Sequence, residues 1–243
     1  MKNIAVIFAG GYGARMQNPS TPKQFLDADG KPVIIYTLEI FEHHPMIDAI
    51  CIACIEPWIP YLQRLIQKYE LKKVVSIVPG GETGQDSIYN GLCAARDCAG
   101  TEQLTDVFVL IHDGVRPLVH PETITANIQK AHECGNCITC VPATETFVVK
   151  PKGGKPFVPE RDESLIARAP QTFRLSEILA AHTQAREEGR HDYIDSSTLM
   201  YHAGYQLYSC IGSYENIKIT TPTDFFIFRA ILKMREDRRA FGI

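Results

Sequence analysis

The chain has 243 residues, 45% hydrophobic and 22% charged, with a formal net charge of −3. That length and balance suit one large α/β domain spanning residues 1–243, and the slight acidic surplus argues against a general nucleic-acid binder. No apolar stretch is long enough to span a bilayer. Met1-Lys2-Asn3 runs into a strand without a signal-peptide pattern. The expectation is a cytoplasmic protein with no nucleic-acid or membrane partner.

Ile4–Ile7 reads as a buried strand. The loop that follows, Phe8 to Gln24, is the most informative stretch of the chain. Gly10, Gly11 and Gly13 strip side chains where the backbone turns and approaches something closely. Arg15 and Lys23 add two cations. Bare N–H groups and cations leaving a strand suit a polyphosphate; taken alone, the loop reads equally as a tight strand-to-helix turn with two solvated basic residues. It is not a P-loop, because no Gly-Lys-Ser/Thr closes it. It is also a poor dinucleotide fingerprint, because Met16 stands where the third glycine belongs.

The periodicity predicts a helix from Lys31-Pro32-Val33 to Phe41, a strand over Asp48–Ile55, and an amphipathic helix carrying Trp58, Tyr61, Leu62, Leu65 and Tyr69. Val74–Val78 is a third strand and ends in Pro79-Gly80-Gly81. Asp86–Ala95 is helical. Asp106–Ile111 is a fourth strand and runs into His112-Asp113-Gly114-Val115-Arg116-Pro117. Helix Pro121–Glu133 and strand Cys137–Val141 follow. Two short apolar runs around Gly153-Gly154 predict a hairpin over about 147–160. Such a ribbon is marginal alone, so it is expected to lean on something else, such as a second subunit. Leu175–Glu188 is helical, as is the region after Asp195, an N-cap candidate. Tyr205–Cys210 and Asn216–Thr220 are predicted strands. Thr221-Pro222-Thr223-Asp224 opens the last helix, with Phe225, Phe228 and Leu232 on one face and Arg235, Arg238 and Arg239 at its basic end, matched to the helix dipole.

Alternating strands and helices imply a mostly parallel sheet covered on both faces. Ligands of such sheets bind beyond the carboxyl ends of the strands, so the Gly10–Lys23 loop, the Gly80-Gly81 turn and the His112–Pro117 turn should share one edge. The eight cysteines give little reason to expect zinc. Cys51 and Cys54 lie three apart in a strand and point to opposite faces. Cys134, Cys137 and Cys140 repeat that spacing into a strand, and buried free thiols behave as small hydrophobes.

Five motifs occur in order along almost the whole chain: Ala9-Gly10-Gly11-Tyr12-Gly13-Ala14-Arg15-Met16 with Pro22-Lys23-Gln24; Gly80-Gly81 with Ser87; His112 to Pro117; Pro170-Gln171; and Asn216 to Thr220. Together they resemble the sugar-alcohol phosphate cytidylyltransferases, which include the D-ribitol 5-phosphate and 2-C-methyl-D-erythritol 4-phosphate enzymes. The resemblance implies a Rossmann-like nucleotidyltransferase fold, CTP and a polyol phosphate as substrates, Mg²⁺ as cofactor, and a homodimer joined through a projecting β-arm, which the 147–160 hairpin fits.

The resemblance also implies roles. Ala9, Gly10, Gly11, Tyr12, Gly13 and Arg15 would wrap the triphosphate, and Gly81 and Ser87 would contact the cytidine. Asp113 would hold Mg²⁺, which prefers carboxylate and phosphate oxygens. Arg15, Lys23 and Lys218 would supply positive charge at the reacting phosphates. Arg116, Thr146 and, from a second subunit, Arg161 would bind the polyol phosphate. Two departures stand out. The family usually has Arg three residues before the Ser, where this chain has Gly84. The erythritol enzymes tend to carry Arg-Asp-Thr where this chain has Thr144-Glu145-Thr146, and the missing Arg leans towards ribitol, as do Glu56-Pro57-Trp58 and Ile219-Thr220-Thr221-Pro222. Two other classes remain: a nucleotide-dependent oxidoreductase of Rossmann type, against which the missing third glycine counts, and a noncatalytic nucleotide-binding regulator, at which Gly84 hints.

Overall fold

The computed structural model describes residues 1–11, 21–100 and 104–242, without the side chains of 239–241. In chain order its elements are β1 (Lys2–Ala9), β2 (Asp27–Ala28), β3 (Lys31–Pro32), α1 (Val33–His43), β4 (Ala49–Cys54), α2 (Ile59–Lys68), β5 (Val74–Pro79), α3 (Gly84–Ala99), β6 (Val107–Asp113), α4 (Pro121–Cys134), β7 (Asn136–Pro142), β8 (Leu165–Arg174), α5 (Leu175–Glu187), α6 (Ser196–His202), β9 (Ser209–Ile211) and α7 (Pro222–Phe241).

Among the described residues seven strands form the main sheet, ordered β5-β4-β1-β6-β8-β7-β9. β1, β4, β5 and β6 pair in parallel, as do β7 and β9, while β8 runs antiparallel to β6 and β7. The alternation expected of strands in such a sheet sorts the core into two layers. Ile4 and Val6 pack with Ile88 and Leu92 of α3 and Ile178 of α5. Their neighbours Ala5 and Ile7 pack on the other face with Leu38 of α1, Leu62 of α2 and Ile128 of α4. β4 and β6 are buried at every position, as strands covered on both faces must be. Each fully buried Ile, Leu or Phe there contributes ~1.5–3 kcal/mol. Cys51 and Cys54 fall in opposite layers, as their spacing requires, and all eight cysteines are free thiols.

From β1 the chain winds outward through β4 to β5, then returns to place β6 on the other flank of β1. Strand order therefore reverses between β1 and β6, the place where open α/β sheets leave a crevice at their carboxyl edge. Phe8 stands directly opposite Asp113 in this pair.

The structure corrects four expectations. β8 is absent from the sequence reading because Arg168 and Pro170 interrupt its apolar run, and proline argues against an interior strand. The proline is accommodated where the β7 pairing slips between Ile138 and Cys140, leaving 168–170 outside both ladders. Residues Asn216–Thr220 form no strand; they cross the ends of the sheet strands and are tied by Ile219 N–H to Val115 O at 2.9 Å. The strand expected over Tyr205–Cys210 pairs only at Ser209–Ile211, because the Asn136 side chain takes Gln206 O and Tyr208 N–H at 2.8 and 3.1 Å. The hairpin at 147–160 is reduced to one antiparallel pair, Val149 with Phe157, since Pro151, Pro156 and Pro159 lack the N–H a ladder needs.

Asp195 caps α6, its carboxylate accepting from Thr198 N–H at 2.8 Å. Thr221 and Asp224 form a full capping box on α7. That helix runs on to Phe241, so Arg235 lies inside it and pairs with Glu215 at 2.6 Å rather than serving the helix end. The Arg239 side chain lies outside the described residues. Among the described residues no helix is long and apolar enough to cross a membrane.

Candidate active site

The three turns meet in one cleft at the carboxyl edge of the sheet. Its lining includes Ala9, Gly10, Gly11, Lys23, Gly81 to Gly84, Ser87, Asp113 and Lys218. Tyr12, Gly13 and Arg15 lie outside the described residues. A larger hollow of about 780 Å³ among α1, α4 and α7 gathers none of the cleft glycines and not Asp113.

The glycines allow the turns to close on one another. A Cβ on Gly10 would run into the Ser87 hydroxyl, and one on Gly80 would lie 3.1 Å from Gly10 Cα. A Cβ on Gly81 would collide with Asp86, backbone included. Ser87 ties the bundle together: its Oγ accepts from Gly81 N–H at 3.0 Å and donates to Thr83 O at 2.9 Å. Gln24, 1% exposed, donates its Nε2 to Ala9 O at 2.6 Å and anchors the far end of the first loop. Thr83 caps α3, accepting from Asp86 N–H at 3.0 Å. The amino end of α3 therefore borders the cleft, where its dipole favours an anion. The Asp86 carboxylate, in the first turn of that helix, is neutralised by Arg186 at 2.5 Å and faces His191 at 3.2 Å. Gly84, in the place of the family Arg, has open space around it.

Asp113 is the electrostatic centre. It ends β6, is 5% exposed, and receives Arg116 Nε at 2.8 Å and Lys218 Nζ at 2.5 Å. The Lys218 contact is an ion pair rather than an aligned hydrogen bond. Burial pushes the Asp113 carboxyl up, but Arg116 and Lys218 outweigh it and hold it well below the usual carboxylate range. The carboxylate is therefore charged at any working pH. His112, fully buried beside it, is pushed down to about 4 by desolvation and stays neutral, its Nε2 3.2 Å from Arg116 O.

Arg116 turns inward. Besides Asp113 it donates Nη1 to Asn216 O at 2.9 Å, so the turn after β6 and the segment before α7 are held together through it. The same carbonyl accepts Arg168 Nη1 at 2.8 Å. Thr146 and Arg161 are exposed and do not line the cleft, and the Arg161 guanidinium pairs with its neighbour Asp162, at 3.4 Å. Arg168 was missed because a lone cation in a broken apolar run carries no periodic signal; its place two residues before Pro170, inside a stretch otherwise able to form a strand, was the available clue.

An ionised carboxylate flanked by cations, beneath a rim of bare backbone and a helix amino end, can bind a polyphosphate and neutralise charge developing on it. The comparisons agree with that chemistry. A ribitol-5-phosphate cytidylyltransferase of Vibrio parahaemolyticus is 50% identical over 241 residues, covering 99% of this chain and 100% of that protein. A 2-C-methyl-D-erythritol 4-phosphate cytidylyltransferase of Clostridium botulinum is 38% identical, covering 96% of this chain and 98% of that protein. The fold is shared with a solved 4-diphosphocytidyl-2C-methyl-D-erythritol synthase of Anaerococcus prevotii, at a TM-score of 0.79 and 24% identity over 96% of both chains. The family model described as IspD: 2-C-methyl-D-erythritol 4-phosphate cytidylyltransferase matches residues 3–234, so nearly the whole chain, cleft included, belongs to that cytidylyltransferase family of nucleotidyltransferase enzymes.

Proposed function

We propose that this protein transfers the cytidylyl group of CTP to D-ribitol 5-phosphate, giving CDP-ribitol and pyrophosphate. The observation that carries the reading is the cleft in which Lys23, Lys218 and the ionised Asp113 lie together under the Gly10-Gly11 and Gly81 backbone. The ribitol substrate is favoured by the full-length relative at 50% identity, against 38% for the methylerythritol enzyme, and by the uncharged Thr144.

A phosphate oxygen of the polyol phosphate attacks the α-phosphorus of CTP in line, and pyrophosphate leaves. A phosphate monoester is already an anion at neutral pH, so no base is needed to make the nucleophile. What must be overcome is the repulsion of two anions and the charge gathering on the phosphoryl oxygens. Lys23 and Lys218 supply countercharge from opposite ends of the chain, with Arg15. The backbone of Ala9 to Gly13 holds the triphosphate, and Gly81 and Ser87 hold the nucleoside. The donor chemistry suits Mg²⁺, a hard cation that prefers carboxylate and phosphate oxygens: Asp113, the ionised carboxylate on the cleft, would hold it. Bound there, Mg²⁺ would neutralise phosphate charge. Asp113 also orients Lys218 and Arg116, and Arg116 and Thr146 receive the polyol phosphate.

Exposed Phe147, Val148, Phe157 and Val158 on the arm, with Leu165 and Ile166 beside it, support a homodimer in which Arg161 serves the neighbouring cleft. Its nucleotide substrate supports a cytoplasmic location. Pyrophosphate release with CTP and each polyol phosphate tests the reading. The expected result is a higher kcat/KM for D-ribitol 5-phosphate than for 2-C-methyl-D-erythritol 4-phosphate at saturating CTP. Equal or better use of the erythritol phosphate would move the protein to the second reading, and no pyrophosphate release with any polyol phosphate would leave the noncatalytic class.

A further inference from the structure

The antiparallel strand β8 brings a cation to the carboxyl edge of the sheet. Its pairing with β6 ends at Gln171 opposite Ile111, and its pairing with β7 resumes only at Ala167 opposite Cys140. Residues 168–170 therefore stand in neither ladder, although they remain within the strand. Such irregularities re-aim side chains and gather beside active sites. This one is held by Asn216, 1% exposed, whose Nδ2 donates to Ala169 O at 2.6 Å. The main chain of Asn216 then collects both guanidinium groups on its carbonyl, Arg168 at 2.8 Å and Arg116 at 2.9 Å.

Two like charges sharing one acceptor repel each other. Arg116 is compensated by Asp113, which also serves Lys218. Among the described residues no carboxylate stands within ion-pair distance of Arg168, and its buried Nε makes no hydrogen bond. Burial and the neighbouring Arg116 both act against its charge. Asp113 thus compensates Arg116 and Lys218, whereas Arg168 rests on neutral carbonyls, Asn216 O at 2.8 Å and Tyr214 O at 3.5 Å, with no carboxylate among the described residues to offset its charge. A half-buried cation kept at such a cost calls for an anion from outside.

The position indicates which anion. The turns suited to CTP follow β1 and β5, on one side of β6 in the strand order. Arg168 comes from β8, on the other side, next to the end of β7 from which Thr144 to Thr146 follow. We propose that Arg168 binds the phosphate of the polyol substrate and forms a two-guanidinium clamp with Arg116, deepening the function proposed above and resting on it. Guanidinium forks suit phosphate oxygens in a way a lysine does not.

The test is steady-state kinetics on Arg168→Gln and Arg168→Lys, each substrate varied with the other saturating. Loss of a hydrogen bond to a charged group predicts about a 10–100-fold rise in KM for D-ribitol 5-phosphate in Arg168→Gln. KM for CTP should stay within about twofold of wild type, because the nucleotide turns lie across β6. Arg168→Lys should show the same split at smaller amplitude, and it carries the test should the Gln variant fail to fold. An unchanged KM for the polyol phosphate, or equal rises for both substrates, would overturn the inference. Wild-type protein that uses D-ribitol 5-phosphate while the variant's KM is unaltered ends this inference and leaves the function standing. Wild-type protein that uses a different polyol phosphate ends the ribitol assignment, and the same comparison on that substrate then decides the role of Arg168.

Discussion

Replacing Asp113 by Asn keeps the shape of the side chain and removes its charge. The carboxylate is 5% exposed and sits 2.8 Å from Arg116 and 2.5 Å from Lys218. The two partners should respond differently. The Arg116 side chain is 13% exposed and is held by Asn216 O, so it cannot easily reach water; breaking a buried pair from one side costs ~3–5 kcal/mol. The Lys218 side chain is 39% exposed, and a solvated pair is worth only ~0–1 kcal/mol. Because Arg116 keeps its carbonyl bond and the cleft is open to water, a net destabilisation of about 2–3 kcal/mol is expected, almost all from the Arg116 side. Lys218→Met should therefore cost less than about 1 kcal/mol in stability, yet lower kcat by ~10²–10³, the usual cost of removing a charge aimed at a transition state. Urea unfolding gives the two stabilities, and pyrophosphate release at saturating substrates, corrected for folded fraction, gives the rates. Asp113→Asn should fail in both assays and Lys218→Met in only one. A stability change below about 0.5 kcal/mol for Asp113→Asn would show that the buried ion pair is not structural, and wild-type kcat in Lys218→Met would remove that lysine from the chemistry.

Lys23→Ala should leave the circular dichroism spectrum and melting temperature near wild type while lowering turnover ~10²–10³-fold; wild-type turnover in a folded variant would refute its role. Acid should destabilise the fold before the carboxylates titrate, because His112 and His182 are buried and pushed down to about 4. Unfolded histidines bind protons below about 6.5, so between there and about 4 the unfolded state holds more protons and stability falls as pH falls; the pair together should cost about 3–4 kcal/mol between pH 7 and 5. Asp113 has the same sign in a lower window: its stabilisation is present above the ordinary carboxylate range and is lost as pH drops towards its depressed folded value. A flat denaturation midpoint from pH 7 to 5 would mean the two histidines are not buried neutral.

The main-sheet strands and the helices up to β7 were legible from the sequence because their signal is local, whereas the short β2–β3 pair, which takes Lys31-Pro32 out of the expected helix, was not. A run such as Ile4–Ile7, or the spacing of Leu62 and Leu65, already states which faces must be covered. The meeting of the three glycine turns was legible as well, since parallel strands joined by helices place all their carboxyl ends on one edge. The motifs led to the cytidylyltransferase family by themselves. Hydrogen-bond neighbours and side-chain aim are another matter, because they depend on residues far apart in the chain. Arg116 meets Asn216 across 100 residues and Arg168 meets it across 48, and neither contact leaves a periodic trace. β8 was hidden because a break in its pairing accommodates Pro170, and only the neighbouring strands reveal that break. The segment Asn216–Thr220 has strand composition but crosses the strand ends, where the Asn216 carbonyl serves two arginine side chains instead of a ladder. Tertiary structure alone decided that Asp113 would hold two cations and that Asn216 would gather two guanidiniums on one carbonyl. Composition can set how many charges a chain carries, but their distances are set by packing, and electrostatic energy depends on distance.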